Sequence, residues 1–343
     1  MGIEQRKQRK QPEQRIALTL PNNSTRTVPE VVAAARQAEA LGYDDVWLAD
    51  TGHLDALTLS AVLLAQTERL RIGIAVVPAY SRTPVVLGAT ALTLEQIAPG
   101  RFALGIGSSS KPMMEGWHGL EFRKPLTRVR ETVAVLRQIF AGEKTAFDGE
   151  QVRSHRYHSD AAPAEVPLML AALRPKMLEL AGAVADGVVL NLLPPRGVAK
   201  ALEHVRRGAE QAGRNPDEIE IICRHQVAVT DDRATGRALL RRGFVPYFAT
   251  SVYNPYLAWA GYPAEAEAIL AGWQAGDRDA TARAFSDEVA DAVGVIGTAE
   301  ECQARIRDYA DAGIHTHIIT PLLADARGRD DTLAAFGREQ FRF

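Results

Sequence analysis

Apolar positions along this chain follow two patterns that alternate from residue 15 to the end. Short continuous apolar runs predict buried β-strands, and the segments between them, where apolar residues recur every three or four positions, predict helices. The strands predicted in this way lie at 15–20, 46–49, 70–77, 101–106, 166–171, 187–191, 219–229 and 314–320.

This alternation predicts a parallel sheet whose outer face is covered by helices. The number of strands favours closure into a (β/α)₈ (TIM) barrel with insertions over its C-terminal mouth. A doubly wound open sheet is the main rival, but such sheets usually have fewer strands and need a nucleotide-binding loop.

Two stretches do not fit the repeat. Residues 142–165 are polar and contain a predicted hairpin around Asp148 and Gly149. Residues 254–291 form a predicted helical insertion over the barrel mouth, where Trp259, Tyr262 and Trp273 could cover a ligand as a lid. The polar segment 1–14 is predicted to be a disordered arm that precedes a single barrel domain, 15–343.

Composition narrows the class of protein. The net charge of −2 does not suit a general binder of nucleic acid or of a membrane surface. Cys223 and Cys302 are the only cysteines, so no disulfide framework or zinc ribbon is expected. No apolar stretch is long enough to span a membrane, and the N-terminal segment does not resemble a signal peptide. We therefore expect a cytoplasmic protein that acts on a small molecule.

Active sites of such barrels lie at the C-terminal ends of the strands. This rule selects Asp50 after the second strand, residues 108–110 after the fourth, and Asn191 and Thr320 at the ends of the sixth and eighth. Asp50 could bind a ligand or simply cap the next helix. The three consecutive serines suit a polar ligand, although serines also occur in ordinary turns.

Two further motifs concern phosphate. The sequence GIGSSS at 105–110 lacks the third glycine of a dinucleotide-binding loop, and no helix is expected before Pro125. Arg174, Pro175 and Lys176 begin a predicted helix, where free backbone amides and two cations favour a phosphate group. The alternative is a helix start whose basic residues face water.

Histidine pairs do not indicate a metal. His315 and His317 share one side of a strand, but no carboxylate accompanies them, so a buried or interface pair is expected. Cys223 and His225 share one side of the seventh strand and are expected in the core. We predict no metal site.

Five segments of the chain, taken together, resemble the luciferase-like monooxygenase superfamily and, within it, its coenzyme F420-dependent reductases. The segments are EALGYDDVW at 39–47 leading to Asp50, LRIGIAVVP and YSRTP within 70–84, PGRFALGIG at 99–107, WHGLEF and RVRE within 117–131, and PKMLELA and ADG within 175–187.

The resemblance implies a set of cofactor contacts. Asp50 would contact the deazaflavin ring, a bulge with a cis peptide at Ala75 and Val76 would support the ring, and the loop after the fourth strand would line it. The phosphate-bearing tail would lie at the start of the fifth helix. The cofactor-binding residues implied in this way are Asp50, Ala75, Val76, Ser108, Ser109, Leu173, Arg174, Lys176 and Met177.

The chain departs from the family at two positions. Thr51 replaces a frequent histidine, and Ser110 replaces the catalytic glutamate of the sugar-phosphate dehydrogenases, which argues against sugar-phosphate oxidation. Thr51, Ser110, His53 and His118 are the candidate catalytic residues, as proton donors.

The resemblance implies a hydride-transferring oxidoreductase that uses coenzyme F420. The alternatives are a monooxygenase that takes reduced FMN from a cofactor-reducing partner enzyme and a non-catalytic protein that binds a flavin or deazaflavin. A homodimer is also expected.

Overall fold

The computed structural model describes residues 12–21, 26–323 and 325–343, and the short apolar runs within them are strands. All six residues of the strand at 102–107 are buried, as expected where helices cover one face and the barrel interior lies on the other. In chain order the strands are β1 (Arg15–Thr19), β2 (Asp45–Leu48), β3 (Arg71–Ile74), β4 (Val77–Pro78), β5 (Phe102–Gly107), β6 (Ala146–Asp148), β7 (Arg153–His155), β8 (Leu168–Ala171), β9 (Gly187–Asn191), β10 (Glu220–Val229), β11 (Gly294–Gly297) and β12 (Thr316–Pro321).

The periodic segments form helices, many of which begin with a polar cap or with proline, the residues that suit a helix start. Thr83, for example, accepts a hydrogen bond from the backbone of Val86 and is followed by Pro84. The α-helices are α1 (Val28–Ala40), α2 (Ala56–Gln66), α3 (Pro84–Ile97), α4 (Pro125–Phe140), α5 (Pro175–Val184), α6 (Pro195–Gln211), α7 (Arg233–Phe248), α8 (Tyr253–Trp259), α9 (Pro263–Gln274), α10 (Arg278–Ala284), α11 (Asp287–Val293), α12 (Ala299–Asp311) and α13 (Ala326–Ala335).

Eight parallel strands close into a barrel, which confirms the predicted (β/α)₈ fold. Their order is β12, β1, β2, β3, β5, β8, β9 and β10, and β10 pairs with β12 to complete the ring. Alternating helices cover the outside of this ring, as the sequence pattern indicated.

One parallel strand, β11, was not predicted from the sequence. It pairs with the C-terminal half of β10, from Gln226↔Gly294 to Val229↔Gly297, outside the ring of eight. The segment is four residues long and has glycine at both ends, so its apolar run was too short to stand out.

The two stretches outside the repeat have the predicted secondary structure, but the aromatic residues of the second are placed differently. β6 and β7 form an antiparallel hairpin around Asp148. Residues 254–291 form most of four helices, α8 to α11. Trp259 and Tyr262 pack on cations of α6. Lys200 Nζ lies 4.7 Å from the centre of the Trp259 ring, and the Arg196 guanidinium lies 4.0 Å from the centre of the Tyr262 ring.

The packing of Trp259 and Tyr262 against α6 does not support their predicted role of covering a ligand.

Residues 1–11 of the predicted N-terminal arm lie outside the described part of the chain. Within the described part, Gln14 donates a hydrogen bond to Ile314 O.

The barrel interior is apolar at mid-height and charged at its N-terminal end. Its apolar layer contains Ala17, Trp47, Ala103, Met169, Val189, Ile222 and Ile318. No helix within the described residues is long and apolar enough to cross a membrane.

The N-terminal layer is a network of paired charges. Arg71 bridges Asp45 and Glu220 at 2.6 Å each, Arg15 also pairs with Asp45, and Thr316 donates a hydrogen bond to Glu220 at 2.5 Å. Burial alone would raise the pKa of Glu220, but the Arg71 charge and its hydrogen bonds lower that pKa to about 2.

Candidate active site

The C-terminal ends of the eight strands meet at one end of the barrel, here called the mouth. At its edge the hydroxyl groups of Thr19 and Thr320 are 2.7 Å apart, which joins the first and last barrel strands. Because the loops that follow parallel strands converge at this end, polar groups from distant parts of the sequence are brought together there.

Asp50 follows β2 at the mouth and is held by an arginine. Its Oδ2 atom accepts a hydrogen bond from Arg82 Nη1 at 2.5 Å, and the same guanidinium also bonds to Asp55. Burial acts to lower the pKa of Arg82, but the hydrogen bonds and charges of the two aspartates outweigh it and raise that pKa.

The interpretation of Asp50 as a helix cap is wrong. The N-cap of α2 is Asp55, whose side chain accepts a hydrogen bond from Thr58 N at 2.7 Å. Asp50 therefore does not cap α2, and its contact with a ligand stays a prediction.

Ala75 and Val76 form a break between β3 and β4, and the peptide bond between them is cis, as the resemblance implied. Glycines on β5 allow this backbone to approach closely. A Cβ atom on Gly105 would lie 1.8 Å from Ile74 O, and one on Gly107 would lie 2.5 Å from the Val76 side chain. The paired glycines therefore serve packing within the barrel, which agrees with rejecting a dinucleotide loop.

Ser108, Ser109 and Ser110 leave the end of β5 at the mouth and are all half-buried. Ser109 has a φ of 61°, a conformation uncommon for residues other than glycine. The expectation of no helix before Pro125 is wrong, because a π-helical turn, Pro112–Trp117, follows the serines. Such turns occur frequently at functional sites.

This turn brings two loops of the mouth together. Trp117 is 62% exposed, and a Cβ atom on Gly52 would lie 3.2 Å from its ring. The contact places the loop that carries Thr51 and His53 beside the loop that carries His118. All three of these side chains are exposed, at the rim rather than inside the barrel.

Helix α5 begins at the mouth with two cations. Arg174 is its N-cap residue and Lys176 lies in its first turn, and both are exposed without an acidic partner among the described ion pairs. The partly buried side chains of Leu173 and Met177 flank them. Unpaired backbone amides at a helix start favour an anion, and the two cations strengthen that preference.

Arg224, on β10, was not predicted as a residue of the mouth. Its Nη2 atom donates a hydrogen bond to Ala75 O at 3.3 Å. Asn191, its register partner on β9, donates a hydrogen bond to the Tyr253 hydroxyl at 3.0 Å. The sequence did contain a signal for this residue. Cys223 and His225 were expected to face the core on one side of the strand, so Arg224, between them, had to face the other side.

The remaining predicted core groups lie away from the mouth. Cys223 and His225 are buried as expected. His225 Nε2 lies 3.2 Å from His317 Nδ1, and burial lowers the pKa of both histidines, that of His317 to about 3. No group of three potential metal ligands occurs among the residues that the structure describes.

Two surface cavities, of about 300 and 230 Å³, also lie elsewhere. The larger lies beside α6 and contains His315, and the smaller lies between α7 and α12 and contains Cys302. Neither is lined by a residue of the mouth. The mouth remains the candidate site because unpaired cations and loop ends converge there, whereas Arg233 in the smaller cavity is already paired with Glu301.

The fold is that of the TIM-barrel enzymes, whose active sites lie at the strand ends. Residues 10–316 match the family model described as luciferase-like monooxygenase. The chain belongs to this family and is accordingly an oxidoreductase.

A curated relative, the 5,10-methylenetetrahydromethanopterin reductase of Methanolobus tindarius, is 29% identical over 290 residues, which cover 84% of this chain and 88% of the relative.

Two solved structures show how widely the fold is shared. The coenzyme F420-dependent tetrahydromethanopterin reductase of Methanopyrus kandleri superposes with a TM-score of 0.81 at 21% identity, covering 95% of this chain and 98% of that one. The oxygenating constituent of 3,6-diketocamphane monooxygenase of Pseudomonas putida, in complex with FMN, has a TM-score of 0.69 at 17% identity, covering 95% and 98%. At these identities the likeness shows the fold alone.

Proposed function

We propose that the chain is a coenzyme F420-dependent oxidoreductase that transfers a hydride between the deazaflavin and a small organic substrate. The observation that carries this proposal is the pair of unpaired cations, Arg174 and Lys176, at the start of α5 beside the mouth. The tail of F420 is longer and more anionic than the single phosphate of FMN, so it would attract these two cations more strongly. A curated relative from Mycobacterium tuberculosis, 29% identical over 316 residues and named a putative coenzyme F420-dependent oxidoreductase, supports the same cofactor.

When bound, the cofactor would supply the hydride chemistry. The chain would bind it, orient it and exclude water. Arg174 and Lys176 would hold the tail, and the Ala75–Val76 backbone and Ser108 would line the ring. Asp50, held at one oxygen by Arg82, would present its other oxygen to a polar group of the ligand.

Four residues are candidate proton donors for the substrate. Thr51, His53 and His118 are exposed and Ser110 is half-buried, and each stays a prediction. The homodimer and the cofactor-reducing partner enzyme also stay predictions.

The RVRE segment, one of the sequence features that resembled the deazaflavin branch, has a structural role. Arg128 donates hydrogen bonds to Ala79 O and Gln151 O. Glu131 accepts hydrogen bonds from the backbone of residues 150–152. This motif therefore anchors the hairpin segment to α4 and does not itself favour one cofactor.

The second candidate is a monooxygenase that uses reduced FMN, favoured by the similar fold of the FMN-bound P. putida protein. The two candidates differ in their response to oxygen, because reduced deazaflavin reacts poorly with it. The protein is titrated with F420 and with FMN, and oxidation of each reduced cofactor is followed under nitrogen and in air, with candidate acceptors present.

We expect tighter binding of reduced F420 and oxidation that depends on an organic acceptor but not on oxygen. Micromolar FMN binding with oxygen-dependent turnover, and no binding of F420, would replace the proposal by the monooxygenase.

A further inference from the structure

Arg224 spans the interior of the barrel. β10 and β3 are four strands apart in either direction around the ring of eight, so they face each other across its diameter. The Arg224 side chain starts on β10 and donates to the carbonyl of Ala75, directly after β3. Its guanidinium group therefore forms part of the floor of the mouth, beside the backbone break at Ala75 and Val76.

This guanidinium has unused hydrogen-bonding capacity. Its Nε atom is buried without a partner, and Arg224 makes no ion pair within the described residues. Burial lowers its pKa, although two nearby tyrosine side chains oppose that effect. A desolvated cation of this kind binds an acceptor strongly when one is provided.

Asn191 supplies the complementary group on the neighbouring strand. Its side-chain Oδ1 atom is buried and accepts no hydrogen bond from the described residues, while Nδ2 donates to the Tyr253 hydroxyl. Arg224 and Asn191 are aligned in the β9–β10 register. Within the described residues, neighbouring positions on β9 and β10 thus carry one unused donor and one unused acceptor, and native proteins rarely leave such buried groups unsatisfied.

The ligand that satisfies both atoms must carry an acceptor next to a donor. A carboxylate or phosphate offers acceptors only and would leave Asn191 Oδ1 unpaired. The pyrimidine edge of an isoalloxazine or deazaflavin ring carries the C2 carbonyl next to N3–H, which matches the pair.

We propose that Arg224 and Asn191 bind the pyrimidine edge of the ring, with Arg224 donating to O2 and Asn191 Oδ1 accepting from N3–H. This assignment rests on the proposed function, and it names the two residues that orient the ring within the barrel. It also has a redox consequence. Transfer of a hydride to C5 of the deazaflavin leaves negative charge in the N1–C2 carbonyl region until N1 takes up a proton, so Arg224 binds the reduced cofactor, as its N1 anion, more tightly than the oxidised one.

The first test compares Arg224→Met, which keeps length and removes charge, with Arg224→Lys, which keeps charge. Dissociation constants of oxidised and reduced F420 are measured anaerobically by fluorescence titration, and melting temperatures report folding. We expect Arg224→Met to weaken binding of the reduced form about tenfold more than that of the oxidised form. Arg224→Lys should keep most of the preference for the reduced form.

A folded Arg224→Met protein that binds both forms as the wild type does would overturn the assignment while leaving the proposed function intact. Wild-type protein that binds neither F420 nor FMN would instead overturn the proposed function.

The second test needs no Arg224 variant. The tail-free chromophore of F420 and its N3-methyl derivative are titrated into the wild type and into Asn191→Leu. Methylation removes the N3–H donor, so it should weaken binding to the wild type about tenfold and have a smaller effect in Asn191→Leu. Equal binding of the two chromophores by the wild type would show that N3 does not face the floor of the mouth.

Discussion

The two ends of the barrel contain similar charged residues and use them in opposite ways. At the N-terminal end, Arg15 and Arg71 are paired with Asp45 and Glu220. At the mouth, Arg174, Lys176 and Arg224 have no acidic partner among the described ion pairs. At the N-terminal end each of these charges has a partner of opposite sign, whereas the cations of the mouth can still pair with a ligand.

The paired charges at the N-terminal end should contribute mainly to stability, and the unpaired cations at the mouth mainly to ligand binding. A buried charge network that is fully paired contributes order to the barrel, and removing one member leaves another charge buried without a partner. Unpaired cations at the mouth contribute little to the folded state by themselves and keep their binding capacity for an anionic or electron-rich ligand. The same substitution should therefore have different consequences at the two ends.

The largest effect is expected for Arg71→Met at the N-terminal end. The change leaves Asp45 and Glu220 without their shared partner and should lower the free energy of unfolding by about 3–5 kcal/mol, measured by urea denaturation. The matched change at the mouth is Arg174→Met, which removes an exposed cation without an acidic partner among the described ion pairs and should cost about 0.5 kcal/mol or less. Equal losses of unfolding free energy in the two variants would contradict the proposed difference between the two ends of the barrel.

Acid titration should act on the same N-terminal network. The pKa of Glu220 is lowered to about 2 in the folded protein, so its stabilising contribution is present above its ordinary pKa of 4.5 and is lost as the pH falls towards 2. Across this window the wild type should lose about 3 kcal/mol through Glu220. Glu220→Gln should show a flatter dependence of unfolding free energy on pH, and an unchanged slope would contradict the assignment.

At the mouth, Arg174→Glu should weaken F420 binding by about 1–3 kcal/mol, because the charge facing the phosphate changes sign. The melting temperature should stay within the range of ordinary surface substitutions. Arg153→Glu, on the exposed hairpin, is the matched control and should leave affinity unchanged. Unchanged affinity of a folded Arg174→Glu protein would place the phosphate elsewhere.

The smallest stability effects distinguish two neighbouring aspartates. Asp50→Ala should impair ligand binding with a small change in stability, because Asp50 caps no helix. Asp55→Ala removes the cap of α2 and should cost about 1 kcal/mol with normal ligand affinity. Calorimetry and cofactor titration of both variants check this, and a reversed pattern would exchange the two roles.

The sequence by itself determined the fold and most positions around the mouth. Apolar runs and helical periodicity depend on neighbours along the chain, so the eight barrel strands, the hairpin at β6–β7 and the cationic start of α5 were predicted. The rule that strand ends converge then placed Asp50, Ser108 and Asn191 at one site.

Only the tertiary structure decided how these groups are partnered. Asp50 pairs with Arg82, the capping role belongs to Asp55, and Arg224 reaches Ala75 across the barrel. β11 forms because a very short segment finds the free edge of β10. These contacts join residues far apart in the sequence, and barrel closure determines which side chains face each other, so no local pattern could specify them.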